Sequence, residues 1–330
     1  MSVLTYDHLM ELTNPKDISD TYFAGLLGRN REKYGSYVRW IKYLMPIIMR
    51  YPCMLSWGHQ ILPLMYAACR IVDDVIDGDL GYQWNVATYI KERLSFLEQI
   101  ASWNEIKPET PEDRVFAQMF DIAERAGSKS KILKWTNDII RSMSFDAERI
   151  QAYRDSWSLV FPDHKELEKY FNELDVNGTW LCMAELLRLE WVPNIYFHLN
   201  NVWSACRIEY NLTDLIEDLQ QGIVNIPSSD AHRYGITVQD LLDVRSLPAI
   251  KDIEPKNPSL ILYQNTIKYP PSIRNWILDQ VQKYHVTMGN LDSSAIKSFP
   301  IRWRLFLKYA YTKPSDKAIS KITNQFPTHA

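Results

Sequence analysis

Two short acidic stretches carry most of the side chains in this sequence that could do chemistry. The first reads Arg70-Ile-Val-Asp73-Asp74-Val-Ile-Asp77-Gly78-Asp79. On a helix, Asp73 and Asp77 share one face and Arg70 lies one turn before Asp73. The second reads Asn211-Leu-Thr213-Asp214-Leu-Ile-Glu217-Asp218, where Asp214 and Asp218 form the same i,i+4 pair. Like charges so spaced destabilise a helix by about 0.2–0.5 kcal/mol. A solvated acidic helix end explains either stretch taken alone. Two such pairs, each closing an apolar helix and about 140 residues apart, point instead to oxygen ligands for hard cations. Mg²⁺ suits them, because it keeps several waters and binds through a few carboxylates plus substrate phosphate. Facing each other across a bundle, the pairs would hold a diphosphate through about three Mg²⁺ ions.

The elements that must position these pairs read as helices. Apolar residues recur at three- and four-residue spacings over Leu62–Ile76, Tyr89–Ile100, Val115–Ala126, Ile132–Met143 and Leu167–Leu189. No segment alternates at strand period, and the breaks at Pro52, Gly127–Ser130, Phe161–His164 and Pro270–Pro271 are short. We expect an all-α bundle of roughly a dozen helices, a single domain spanning residues 1–330.

Composition narrows the function classes. The 330 residues are 46% hydrophobic and 23% charged, which excludes a mainly disordered or collagen-like chain. Only 11 residues are Gly, too few to favour a Gly-rich phosphate loop. A net charge of −3 gives no basic field for nucleic acid. The four Cys (Cys53, Cys69, Cys182, Cys206) form no CxxC pair and read as buried thiols of a reducing compartment. No basic leader precedes an apolar core at the N-terminus, so neither a signal peptide nor an address other than the cytoplasm is expected. The uncharged run Tyr51–Cys69 holds Pro52, Gly58, His59, Gln60 and Pro63, which favours a buried helix over a transmembrane span.

The order of the motifs adds a resemblance. Tyr66-Ala-Ala-Cys-Arg70-Ile-Val-Asp73-Asp74-Val-Ile-Asp77 resembles the first motif of the squalene/phytoene synthases, within the class I isoprenoid synthase fold. Leu212-Thr-Asp214-Leu-Ile-Glu-Asp218 followed by Gly222-Ile-Val-Asn-Ile-Pro227 resembles the second. Ser229 to Thr237 continues the match, and Phe145-Asp146 and Val176-Asn-Gly178-Thr179 resemble intervening segments. The resemblance covers about residues 55 to 245. It departs where the family's head-to-head condensing enzymes accept a second prenyl chain. Met45-Pro-Ile-Ile-Met-Arg50 replaces a Ser-Phe-rich helix, Trp180-Leu181 replaces Val-Gly, and Thr213 replaces a basic residue. The Arg and the aromatic of the final turn become Ile223 and Asn225. This pattern looks most like the unorthodox fungal sesquiterpene synthases of humulene type that are related to squalene synthase.

The resemblance implies an Mg²⁺-dependent lyase that ionises farnesyl diphosphate and cyclises it to a sesquiterpene hydrocarbon, with humulene as a candidate product, and releases diphosphate. Asp73, Asp77, Asp214 and Asp218 become metal ligands, with Asn211, Glu217 and Gln221 as further candidates. Arg70 would orient Asp73 or touch the diphosphate, or else form an ordinary ion pair. Tyr66, Met65, Trp180 and Leu181 are candidates to line the pocket, with Trp57 and Phe145 shaping it. Arg304 and Tyr311, with Arg302, Lys308 and Tyr309, lie on an apolar C-terminal stretch that could cap it. Ordinary core packing or a solvated helix face accounts for each of these residues singly. The alternatives are a head-to-head prenyl transferase making a C30 or C40 product, and an inactive relative acting as a scaffold. A prenyl diphosphate is the expected partner, and a homodimer is possible.

Overall fold

The computed structural model describes residues 4–29, 38–44, 57–82, 85–102, 107–180, 195–247, 269–289, 304, 308 and 312–323. Among the described residues the fold is all-α, with no strand. In chain order the main helices are α1 (Tyr6–Met10), α2 (Pro15–Arg29), α3 (Gly58–Ile76), α4 (Val86–Ala101), α5 (Pro111–Arg125), α6 (Lys129–Ser156) and α7 (His164–Phe171). They continue with α8 (Ile195–Thr213), α9 (Leu215–Gln221), α10 (Ser228–Tyr234), α11 (Val238–Arg245), α12 (Pro271–Gly289) and α13 (Lys313–Thr323). Two wide-turn segments, Arg39–Leu44 and Asn172–Trp180, are π-helical. No helix among the described residues is long and apolar enough to cross a membrane.

The chain gathers into two compact units and passes between them three times, first inside α6, after Gln151, where no linker composition could mark it. The first unit holds Met1–Gln151 with Asn172–Ile195. Its centre is α3, which packs against α2, α5, α4 and the Arg39–Leu44 turn. The small side chains of Ala67 and Ala68 are fully buried and let neighbouring helices approach, while Ile71, Val72, Val75 and Ile76 fill the core. Pro63 lies inside α3 and cannot donate to the His59 carbonyl. The helix stops at Asp77, and Gly78 follows at φ +79°.

The second unit holds Ala152–Phe171 with Tyr196–Ala330. Leu212, Leu215, Ile216 and Leu219 of α8 and α9 form its core with Leu241 and Val244 of α11 and Ile273, Trp276, Ile277 and Val281 of α12. Trp276 Nε1 donates to Asp230 of α10 at 3.1 Å, and the Tyr284 hydroxyl to Asp316 of α13 at 2.8 Å. Buried aromatics thus pack with one face and tether a neighbouring helix with the polar end. The described cysteines, Cys69 and Cys206, are buried free thiols as expected; Cys53 and Cys182 lie outside the described residues.

Candidate active site

Along α3 one narrow stripe is left partly open. His59, Pro63, Tyr66, Arg70, Asp73 and Asp77 are half-buried, and every other residue from Gly58 to Ile76 except Gln60 is buried. Steps of three and four residues put all six on one line. The line runs from His59, Pro63 and Tyr66, which carry no charged acid or guanidinium, to the two carboxylates at the helix end. Tyr66 stacks on Phe23 of α2 with ring centroids 5.9 Å apart, and Met65 is buried beside it.

The adjacent aspartates have different surroundings. Asp74 is fully buried and accepts from the Tyr22 hydroxyl at 2.6 Å, from Arg29 at 2.6 Å and from Arg70 at 2.9 Å. Asp73, 26% exposed, is in contact with the other arm of Arg70. Arg70 is therefore an ion-pair partner that spans Asp73 and Asp74. Arg29 also binds Asp79, at 2.9 Å. The two guanidinium groups thus contact three carboxylates, Asp73, Asp74 and Asp79, and Asp77 is a fourth beside them, so among the described residues the cluster keeps an excess negative charge on the side of Asp73 and Asp77.

That excess appears in the acidities. Burial, opposed by Arg70, pushes the Asp73 carboxyl up to about 6, and the charges of Asp74, Asp146 and Asp79 add to the rise. Burial and then the charge of Asp73 raise Asp77 well above the usual carboxylate range. Asp146 comes from α6, where it pairs with Arg149, whose guanidinium lies 4.5 Å over the Phe145 ring. Two desolvated carboxylates on one face make a donor set that fits a divalent cation. Among the described residues no three His, Cys, Asp or Glu side chains form a group able to hold a metal by themselves. Waters and phosphate oxygens would complete the shell, which is the habit of Mg²⁺.

The second acidic pair differs from the continuous helix expected. The chain breaks at Asp214, whose φ of −96° and ψ of 1° separate α8 from α9. Asp218 then falls in the first turn of α9, and its N–H still reaches the Asp214 carbonyl at 2.8 Å. The i,i+4 relation therefore survives the break. Asn211, Asp214, Glu217, Asp218 and Gln221 are all half-buried. Asn225 donates to Asp218 at 2.8 Å, a contact the Asp214–Pro227 spacing does not reveal. Gly222 closes α9 at φ +90°, and a Cβ there would meet the Tyr153 ring at 2.2 Å.

Trp180 ends the π-helical segment Asn172–Trp180, but its side chain, like Leu181, Tyr311, Arg302 and Tyr309, lies outside the described residues. Arg304 is half-buried and Lys308 exposed on helical backbone. Gly178 is the close-approach residue of this segment: an added Cβ would fall 2.2 Å from Ile139 of α6. Sequence did not single out Tyr22 and Arg29, which both bind Asp74, and it named Asn225 only as a departure from the second motif, not as the partner of Asp218. Neither a family model nor a curated protein matches this chain.

Proposed function

We propose that the chain is a class I terpene synthase that ionises farnesyl diphosphate with Mg²⁺ and releases a cyclic sesquiterpene hydrocarbon, with humulene as the leading candidate product. The observation that supports this reading most is the half-buried stripe of α3. It couples the aromatic side chain of Tyr66 to two desolvated carboxylates whose charge the neighbouring arginines only partly offset. An inactive scaffold has no use for such a pair, because a buried charge without compensation costs stability.

Bound Mg²⁺ would supply the positive charge that stabilises a departing diphosphate. Asp73 and Asp77 would hold that charge at the end of α3, and Arg70 would fix the direction of Asp73. Asp214 and Asp218 form the second metal-binding element of the reading. The allylic C–O bond breaks heterolytically, and both electrons leave with the diphosphate. Tyr66, two turns above Asp73, presents an aromatic side chain to the resulting C15 cation, a contact worth about 2 kcal/mol when dry. Attack by a distal double bond closes the ring, and loss of a proton to the released diphosphate ends the sequence.

The test is product analysis by gas chromatography after incubation with farnesyl diphosphate and Mg²⁺. We expect a C15 hydrocarbon, no influence of NADPH, and loss of turnover in EDTA or in Asp73→Ala with helical circular dichroism preserved. Full activity in EDTA would overturn the reading, and accumulation of squalene would replace it with head-to-head transfer.

A further inference from the structure

In the first acidic motif Asp73 and Asp77 face the open stripe, whereas Asp74 points into the core and is out of reach of any substrate. Asp74 nevertheless gathers three donors, two of them from α2, a helix some fifty residues earlier in the chain. One Asp74 oxygen takes both Tyr22 and Arg29, and the other takes Arg70. Arg70 in turn contacts Asp73. Arg29 extends the same fork to Asp79, beyond the turn at Gly78. The result is a continuous chain of charge-assisted hydrogen bonds from α2 to Asp73, closed on both sides of the motif. Such bonds are short, directional and roughly twice as strong as neutral ones.

We propose that Tyr22 and Arg29 are positioning residues for the acidic pair: through buried Asp74 they hold Arg70 against Asp73, and so fix the direction in which Asp73 meets a divalent cation. The proposal rests on the reading of Asp73 as a metal ligand and extends it to residues that touch neither metal nor substrate. A packing role alone would be met by an apolar contact between α2 and α3, which Phe23 and Tyr66 already provide. Placing a charged fork in the same interface costs desolvation, and its two carboxylates flank the proposed metal face. Loss of outer-shell partners typically weakens metal binding by about 10- to 100-fold.

The experiment titrates metal-free full-length protein with Mn²⁺ and reads free Mn²⁺ by electron paramagnetic resonance, without substrate. Wild type, Tyr22→Phe, Arg29→Met, Arg29→Lys and Asp73→Asn are compared, with melting temperature recorded for each. We expect Arg29→Met to weaken Mn²⁺ binding about tenfold or more and Tyr22→Phe by less. Arg29→Lys should recover part of the loss, because an ammonium serves one carboxylate where the fork serves two. The Mg²⁺ concentration giving half-maximal turnover should rise in the same order. Unchanged Mn²⁺ affinity in folded Tyr22→Phe and Arg29→Met, with only a lower melting temperature, overturns the positioning role and leaves the functional reading standing. Equal Mn²⁺ binding by wild type and Asp73→Asn overturns both.

Discussion

At the scale of single residues, backbone conformation separates two glycines that look alike in sequence. Gly222 and Gly235 both follow a short helix and both have positive φ, +90° and +66°. Beside Gly235 there is nothing within 4 Å of an added Cβ, whereas at Gly222 that atom would sit 2.2 Å from the Tyr153 ring. Gly235→Ala should therefore cost only the left-handed conformation, about 1–2 kcal/mol. Gly222→Ala adds a clash with a buried ring and should cost about 3 kcal/mol or more. Urea denaturation of both variants checks this; equal losses would mean that Tyr153 moves aside freely. The difference bears on the site, because Gly222 closes the turn after Asp218. The Ile223 N–H returns to the Asp218 carbonyl at 2.8 Å, and Asn225 holds the Asp218 carboxylate.

At the scale of elements, the start of α5 is a buried electrostatic joint. Thr110 caps the helix, and Glu112 in its first turn is fully buried. Glu112 accepts from Tyr89 at 2.7 Å and from Tyr6 at 3.1 Å, and it pairs with Arg93, so α1 and α4 are both tied to α5. Asp113 is also buried and stands 3.5 Å from the same Arg93. Burial, opposed by Arg93 and reinforced by the charge of Glu112, pushes its carboxyl up to about 7. The folded state then holds a proton that the unfolded chain has released between about pH 4 and pH 7. Stability from this group is thus present at low pH and is lost as pH rises through that window. Asp113→Asn removes the dependence, so its stability relative to wild type should climb by about 3 kcal/mol from pH 4.5 to pH 8, read as a widening difference in melting temperature. A constant difference across pH would show that Asp113 is ionised throughout. Joints of this kind are poorly legible in sequence, since Tyr6 and Glu112 are 106 residues apart and Tyr22 and Asp74 are 52 apart. By contrast, α3 and the face shared by Asp73 and Asp77 were legible, because three- and four-residue spacing is local. The break at Asp214 was not, since Leu212, Leu215 and Leu219 keep helical period across it. Nor was the π-helical turn through Gly178, whose wide path goes with the close packing against Ile139.

At the scale of the whole molecule, the fold is a set of helices with no strand among the described residues and no global basic field, since the net charge is −3. An acidic protein has no general attraction for a diphosphate, so on the proposed reading such a ligand needs cations to neutralise it first. Stability should then respond to metal and anion together more strongly than to either alone. A ligand that binds only the folded state at a hundred times its dissociation constant stabilises by about 2.7 kcal/mol. In a chain of this size that raises the melting temperature by about 3–8 °C. We therefore expect Mg²⁺ with inorganic pyrophosphate to raise the melting temperature by several degrees, while Mg²⁺ alone gives a smaller shift and pyrophosphate with EDTA gives none. Asp73→Ala and Asp214→Ala should each remove most of the joint shift, because on the proposed reading each deletes a metal ligand from one of the two acidic pairs. Differential scanning calorimetry on the three proteins checks this. If Asp214→Ala kept the full shift while Asp73→Ala lost it, the second pair would be an ordinary acidic helix start, and metal binding would belong to the first pair alone.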